Sequence, residues 1–190
     1  MADPAYIDPD TNVLTDGEAW VAISTATSSG STATFTFTST DDGQVGDFSQ
    51  YMDLVLIFYV NGASSGTYSK LNFNNDTGSN YPYQNFYGDG ANDAAGSGTL
   101  AYFDGAWYGG SGGEFGSAVV HLFDINSGKY KSGMTQVASD QDGSGYVNLN
   151  SGTWLSQAPI TEIDITDNSA ANFADGSTVS LFGVLPRMVA

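Results

Sequence analysis

LNFNNDTGSNYPYQNFYGDG, residues 71–90, combines strand alternation, turn chemistry and tyrosines. Leu71 and Phe73 flank a polar Asn72, which is the period of two of a half-buried β-strand. Asn74 to Asn80 is then dense in Asn, Asp, Gly and Ser, residues that tolerate positive φ or bond their own backbone and so let a chain reverse. The tyrosine-rich run that follows has strand composition again. The pattern predicts a β-hairpin, and it contains no catalytic group.

The same grammar extends in both directions. Trp20–Ile23, Ala33–Phe37, Tyr146–Leu149 and Ile160–Ile165 alternate apolar and polar residues, while Leu54–Val60 and Ala118–Phe123 are nearly continuous apolar runs. Such runs fit strands covered on both faces or buried against a second sheet. Gly-bearing turns separate the strands at Ser28–Ser31, Asp41–Gly46, Asn61–Gly66, Asp76–Asn80, Gly88–Gly98, Gly109–Gly113, Asn126–Gly128, Asp140–Gly145 and Asp175–Ser177. Roughly nine to eleven strands follow from that count. Connections this short force antiparallel pairing, because parallel neighbours need crossovers of a dozen or more residues. The sequence therefore predicts an all-β, antiparallel two-sheet sandwich of jelly-roll type, with a closed barrel as the second candidate. Residues 15–190 form its single domain. Residues 1–14, with Pro4 and Pro9 breaking ladders, read as an extended N-terminal arm that carries Tyr6, Ile7, Val13 and Leu14 toward a partner surface.

Composition narrows the partners. Lys70, Lys129, Lys131 and Arg187 face 21 Asp and Glu, a net charge of −17. A surface so poor in cations repels phosphate backbones and anionic lipid, which excludes nucleic acid and membranes as expected partners. It also suits solubility in a saline medium, where screening relieves self-repulsion. There is no cysteine, so disulfides and thiolate metal sites are excluded. The N-terminus lacks the basic and apolar regions of a secretory signal, and the longest apolar run is far too short to span a bilayer. The expectation is a soluble protein made in the host cytoplasm.

Three constellations bear on chemistry. DQDGSGYVNLNS, Asp140 to Ser151, matches an EF-hand loop at five of its positions but ends in Ser151 where the bidentate glutamate belongs. Its flanks are strand-like, so a glycine-rich hairpin is favoured over a calcium site formed around Asp140 and Asp142. His121 is the single histidine and lies in an apolar strand, which favours a structural or interface role over a metal site. Asp53, Asp104, Glu114 and Asp124 are the carboxylates a glycosidase would draw on, but scattered Asp is also what turns and solubility demand. No catalytic residue, cofactor or metal is expected.

The aromatic residues offer contact chemistry instead. Tyr81, Tyr83, Phe86 and Tyr87 cluster in sequence, and Tyr102, Phe103, Trp107 and Tyr108 follow across a glycine-rich loop. Exposed aromatics beside Asn and Asp stack on sugar rings or anchor a protein partner, whereas alternation sends half of them into a core. Tyr81, Tyr83, Tyr87, Trp107 and Tyr108 are the candidate contact residues of the domain.

From about Tyr51 to Val184 the chain resembles a domain recurrent in virion proteins of tailed bacteriophages, marine and cyanobacterial ones especially. The resemblance runs through YMDLVLIFYVNG, KLNFNNDTGSNYPYQNFYGDG, KYKSGMTQVASDQDGSGYVNLNSGTWLSQAPITEIDI and ANFADGSTVSLFGV, in that order and at similar spacing. It implies a non-enzymatic structural component of the virion exterior. Lacking a coiled coil, a collagen-like repeat or a shaft sequence, this chain reads within that family as a capsid decoration or cement protein or a head-fibre subunit. The expected partners are the major capsid protein or other virion proteins and copies of itself, with a trimer implied by analogy. The alternative is a tail-fibre or receptor-binding adhesin that recognises host-surface glycans.

Overall fold

A computed structural model describes residues 20–63, 67–109, 114–141 and 145–185. Tyr6, Ile7, Val13 and Leu14 of the expected arm therefore lie outside the described residues, as does Asp142 of the calcium-loop candidate.

Twelve strands make up the described chain: β1 (Trp20–Thr27), β2 (Thr34–Thr38), β3 (Asp53–Val60), β4 (Tyr68–Phe73), β5 (Tyr81–Gly88), β6 (Asp93–Leu100), β7 (Phe103–Trp107), β8 (Gly116–Phe123), β9 (Lys131–Asp140), β10 (Gly145–Trp154), β11 (Glu162–Asp167) and β12 (Thr178–Val184). A 3-10 turn at Phe48–Gln50 is the only helical element among the described residues. The strands form an eight-stranded sheet, β1-β12-β3-β8-β9-β10-β5-β6, and a four-stranded sheet, β2-β11-β4-β7, with every pairing antiparallel.

The expected all-β, two-sheet sandwich is therefore the fold. The order β1-β12-β3-β8 beside β2-β11-β4-β7 is that of a rolled-up double hairpin, in which strands 1–4 pair with 12, 11, 8 and 7, and this is the jelly-roll arrangement of two Greek keys. Two hairpins are inserted into it: β5–β6 between β4 and β7, and β9–β10 between β8 and β11. They come together through the β10–β5 pairing and extend the large sheet well past the small one.

The core lies between the sheets. Leu54, Leu56, Phe58 and Val60 of β3, with Val120 and Leu122 of β8, face Leu71 and Phe73 of β4 and Ile163 and Ile165 of β11, all nearly inaccessible to water. Phe103 of β7 rests on two strand glycines. A Cβ at Gly152 would fall 2.6 Å from its ring and one at Gly133 2.9 Å from it, so only glycine lets the ring reach the sheet backbone. In the turn after β4, Asn74 and Asn75 take φ of 51° and 59°, the left-handed values that asparagine tolerates. The Asn74 carboxamide oxygen then accepts the backbone N–H groups of Thr161 and Glu162 at 2.8 and 3.0 Å, fastening this turn to the start of β11.

Two expectations need correction. Gly88–Gly98 is not one long turn, because Asp93–Leu100 is strand β6 and pairs with β5 along its whole length. Its Gly96 and Gly98 lie against the Asn85 and Tyr83 side chains, where a Cβ would come 2.8 and 3.2 Å from them. Nor is 71–90 a hairpin: β4 pairs with β11 and β7 in the small sheet and β5 with β10 and β6 in the large one, so the turn between them carries the chain from one sheet to the other. The apolar runs of β3 and β8 are buried against the second sheet, one of the two expected arrangements, and on their other face Ile57, Tyr59 and Val119 are 41%, 54% and 38% exposed.

Candidate contact surfaces

Each candidate residue has a definite place. Tyr81 and Tyr108 belong to the core, 1% and 0% exposed, so neither side chain is available to a partner. The Tyr81 hydroxyl donates to the Asp76 carbonyl at 2.8 Å and accepts the Phe73 N–H at 3.2 Å, and burial pushes it up to about 12. Tyr108 donates to the buried Asp167 carboxylate at 2.7 Å, and burial together with that bond holds the phenol proton well above its ordinary range.

Tyr83, Tyr87 and Trp107 are instead half-buried. They sit where the inserted hairpins run out from under the small sheet. Trp107, the last residue of β7, packs against Tyr68 at 5.7 Å, Tyr87 at 6.1 Å and edge-on against Tyr146 at 5.1 Å between ring centroids. Tyr68 continues the cluster to Tyr102, the two hydroxyls 3.0 Å apart, and the Lys70 ammonium lies 5.4 Å above the Tyr102 ring. Asn148, on the same inner face of β10 as Tyr146, and the Trp107 indole N–H are buried with no hydrogen-bond partner among the described residues.

Of the acidic candidates, Asp53 and Asp124 are neighbours, joined through the Asp124 backbone N–H. Asp53 Oδ2 binds His121 Nε2 at 3.0 Å while its other oxygen accepts the Asp124 N–H at 2.8 Å, and the imidazole stacks 4.1 Å from the Phe123 ring. Asp104 stands apart in the interior. Its Oδ2 accepts from Asn150 Nδ2 at 2.7 Å, and burial, opposed by that bond, pushes its carboxyl up to about 6. No group of three or more His, Cys, Asp and Glu capable of holding a metal occurs among the described residues. The EF-hand-like stretch is the β9–β10 hairpin, with Gly145 paired to Asp140 and strand from there to Trp154.

The outward face of the large sheet is the feature that sequence reading missed. Register places Ile57, Val119, Gln136, Leu149 and Phe86 side by side across β3, β8, β9, β10 and β5. The neighbouring row is Tyr59, Ser117, Ala138, Val147 and Gly88. Phe86 and Val147 are 58% and 69% exposed, and Tyr59 is braced by a stacked Phe115 at 4.7 Å. A shallow apolar groove runs between these side chains. Across these five strands neither row contains a charged residue, although the chain carries a net charge of −17; carboxylates border the patch, with Asp93 of β6 paired to Gly88 and exposed Asp140 two residues beyond Ala138 on β9.

Compared with known proteins, the chain matches no protein-family model and no curated protein sequence.

Proposed function

We propose that this chain is a non-enzymatic structural protein of a tailed-phage virion, a capsid decoration or head-fibre subunit, whose outward sheet face is its assembly surface. The observation that carries this reading is the exposed apolar patch, without a charged residue across β3, β8, β9, β10 and β5, on an otherwise acidic protein. Exposed apolar area gathered on one side marks a surface that another macromolecule covers, and the absence of carboxylates there lets an acidic subunit approach acidic neighbours without repulsion. The resemblance to virion domains and the rigid β-sandwich support the same conclusion. Imaging of purified particles carrying a tagged copy of this protein tests it. Density repeated over the head is expected, and absence of the protein from virions overturns the proposal.

The half-exposed cluster of Tyr83, Tyr87, Tyr102 and Trp107 favours a second reading, an adhesin that stacks these rings on host-surface sugars. Under that reading the tag appears at the tail in few copies, and Trp107→Ala abolishes retention on isolated host envelope.

A further inference from the structure

We infer that the free edge of β6 takes an extended segment of a different protein, one that carries lysine or arginine and adds itself to the large sheet as a further strand. The inference goes beyond the reading of the outward face and depends neither on it nor on where in a particle the protein sits.

The two sheets end in four edge strands, β1 and β6 on the large one and β2 and β7 on the small one. An edge offers unpaired backbone groups to other chains, and proteins blunt it with bulges, short strands, proline or lysine. Three of these edges are blunted. β1 carries a register shift between Ala22 and Ser24, and β7 lies beside another between Tyr68 and Lys70. β2 and β7 are each five residues long. By contrast β6, DAAGSGTL, is eight residues long, pairs with β5 through all of them without a shift, and contains neither proline nor lysine. All of its residues except Gly96 and Leu100 are exposed.

The pairing fixes which backbone groups are free. The Asp89 N–H donates to the Asn92 carbonyl at 3.0 Å, so these two form a hydrogen-bonded pair at the end of the antiparallel ladder. Such pairs alternate with non-bonded ones. Ala94, Gly96 and Gly98 are therefore bonded to β5, and the N–H and C=O groups of Asp93, Ala95, Ser97 and Thr99 turn outward. Pro82, which has no N–H to donate, stands opposite Thr99 and agrees with this alternation.

Side chains of β5 reach toward the same edge. A Cβ on Gly98 would lie 3.2 Å from Tyr83 Cε1, and one on Gly96 2.8 Å from Asn85 Oδ1. The phenol end of Tyr83 and the Asn85 carboxamide thus lie over β6, in the space its two glycines leave open. There they meet the side chains of a strand added ~4.8 Å further out. An aromatic or arginine side chain opposite Gly98 stacks on Tyr83, and a hydrogen-bonding one opposite Gly96 pairs with Asn85. In strand addition the main-chain bonds supply affinity and side-chain positions of this kind supply specificity.

Charge selects the occupant. Asp89 and Asp93 stand at one end of the edge, on a chain whose net charge is −17. A cationic segment is drawn to that edge and an acidic one repelled. The N-terminus of the chain does not supply such a segment, since residues 1–19 hold Asp3, Asp8, Asp10, Asp16 and Glu18 and no lysine or arginine. Pairing of β6 with its own copy brings two equally acidic chains together.

Selection of a random peptide library on the full chain tests the inference. Retained peptides are expected to be rich in Lys, Arg and β-branched residues and poor in Asp, Glu and Pro. N-methylation of one such peptide, residue by residue, is expected to weaken binding on the order of tenfold at every second position and little between, because an added strand turns alternate amides toward its neighbour. The bound peptide is expected to slow amide exchange at Ala95, Ser97 and Thr99 more than at Ala94, Gly96 and Gly98. Ser97→Pro removes one outward donor at a position where an edge strand tolerates proline. It is expected to cost on the order of tenfold in affinity while keeping the circular dichroism of the parent. No retained peptide, retention of acidic peptides, methylation felt equally at all positions, or protection confined to other strands overturns the inference. So does a dimer in sedimentation that Ser97→Pro dissolves, which gives the edge to a second copy.

Discussion

Asn150 on β10 donates its side-chain N–H to the Asp104 carboxylate on β7 at 2.7 Å, and both residues are buried where the extended part of the large sheet meets the edge of the small one. Lys70, the register neighbour of Asp104 on β4, lies over Tyr102. The carboxyl is thus held by a neutral amide, and burial raises it to about 6. Because the folded protein holds this proton more tightly than the unfolded chain does, the associated stability is present below about pH 4 and is lost as pH rises through 6. Asp104→Asn keeps an acceptor for Asn150 and removes the charge. The variant is expected to match the parent in urea unfolding at pH 4 and to exceed it by about 3 kcal/mol at pH 8. Equal stability at both values would sink the assignment.

Tyr108→Phe removes one of the two side-chain donors, with Ser169, that the Asp167 carboxylate has among the described residues. Hydrogen bonds to buried charged groups are worth about 1.5–3 kcal/mol, so a Tm lower by about 3–12 °C is expected for a chain of this length. Tyr83→Phe, altering a half-exposed ring outside the core, is expected to change Tm by less than about 2 °C. Similar losses from both would contradict the division of the tyrosines into core and surface.

Gly152→Ala brings a methyl group into the Phe103 ring. Overpacking of this kind costs about 1–3 kcal/mol, to be read as a lowered denaturation midpoint with unchanged slope. Gly128→Ala, in a turn with no atom within 4 Å of the new methyl, provides the comparison and is expected to be neutral within about 0.5 kcal/mol.

Association through the apolar patch should strengthen with salt. Screening shortens from about 8 Å at physiological ionic strength to about 3 Å at 1 M, which relieves repulsion between a chain of charge −17 and acidic neighbours while leaving apolar contact intact. Sedimentation with purified particles at low and high salt measures the trend. Dissociation by salt would instead point to ion pairs, such as those Lys70 could make.

Strand alternation was legible wherever branched and aromatic residues marked one face, as in β2, β4 and β11, whereas β3 and β8 declared themselves as continuous apolar runs. β6 escaped because DAAGSGTL has almost no side chain to declare a face, and its strand character comes from pairing with β5. Tyr81, Tyr83 and Tyr87 share one face of β5, yet Tyr81 is core and the other two are half-exposed. Alternation says which way a side chain points but not how far the opposing sheet reaches, and the small sheet stops between these residues. The outward rows were invisible for a related reason. Ile57, Phe86, Val119, Gln136 and Leu149 become neighbours only through the registers of four separate strand pairings.

The two inserted hairpins also set an order of events. Each closes locally, β5 onto β6 and β9 onto β10, but they join each other through residues 59 to 69 apart in sequence. Loop closure over that distance is costly before the sandwich has brought the ends together. The wing that carries Phe86, Leu149 and Val147 is therefore expected to be the last part of the chain to assemble and the first to exchange its amide protons. The assembly surface would thus be complete only after the chain has finished folding, which keeps nascent chains from being captured half-made.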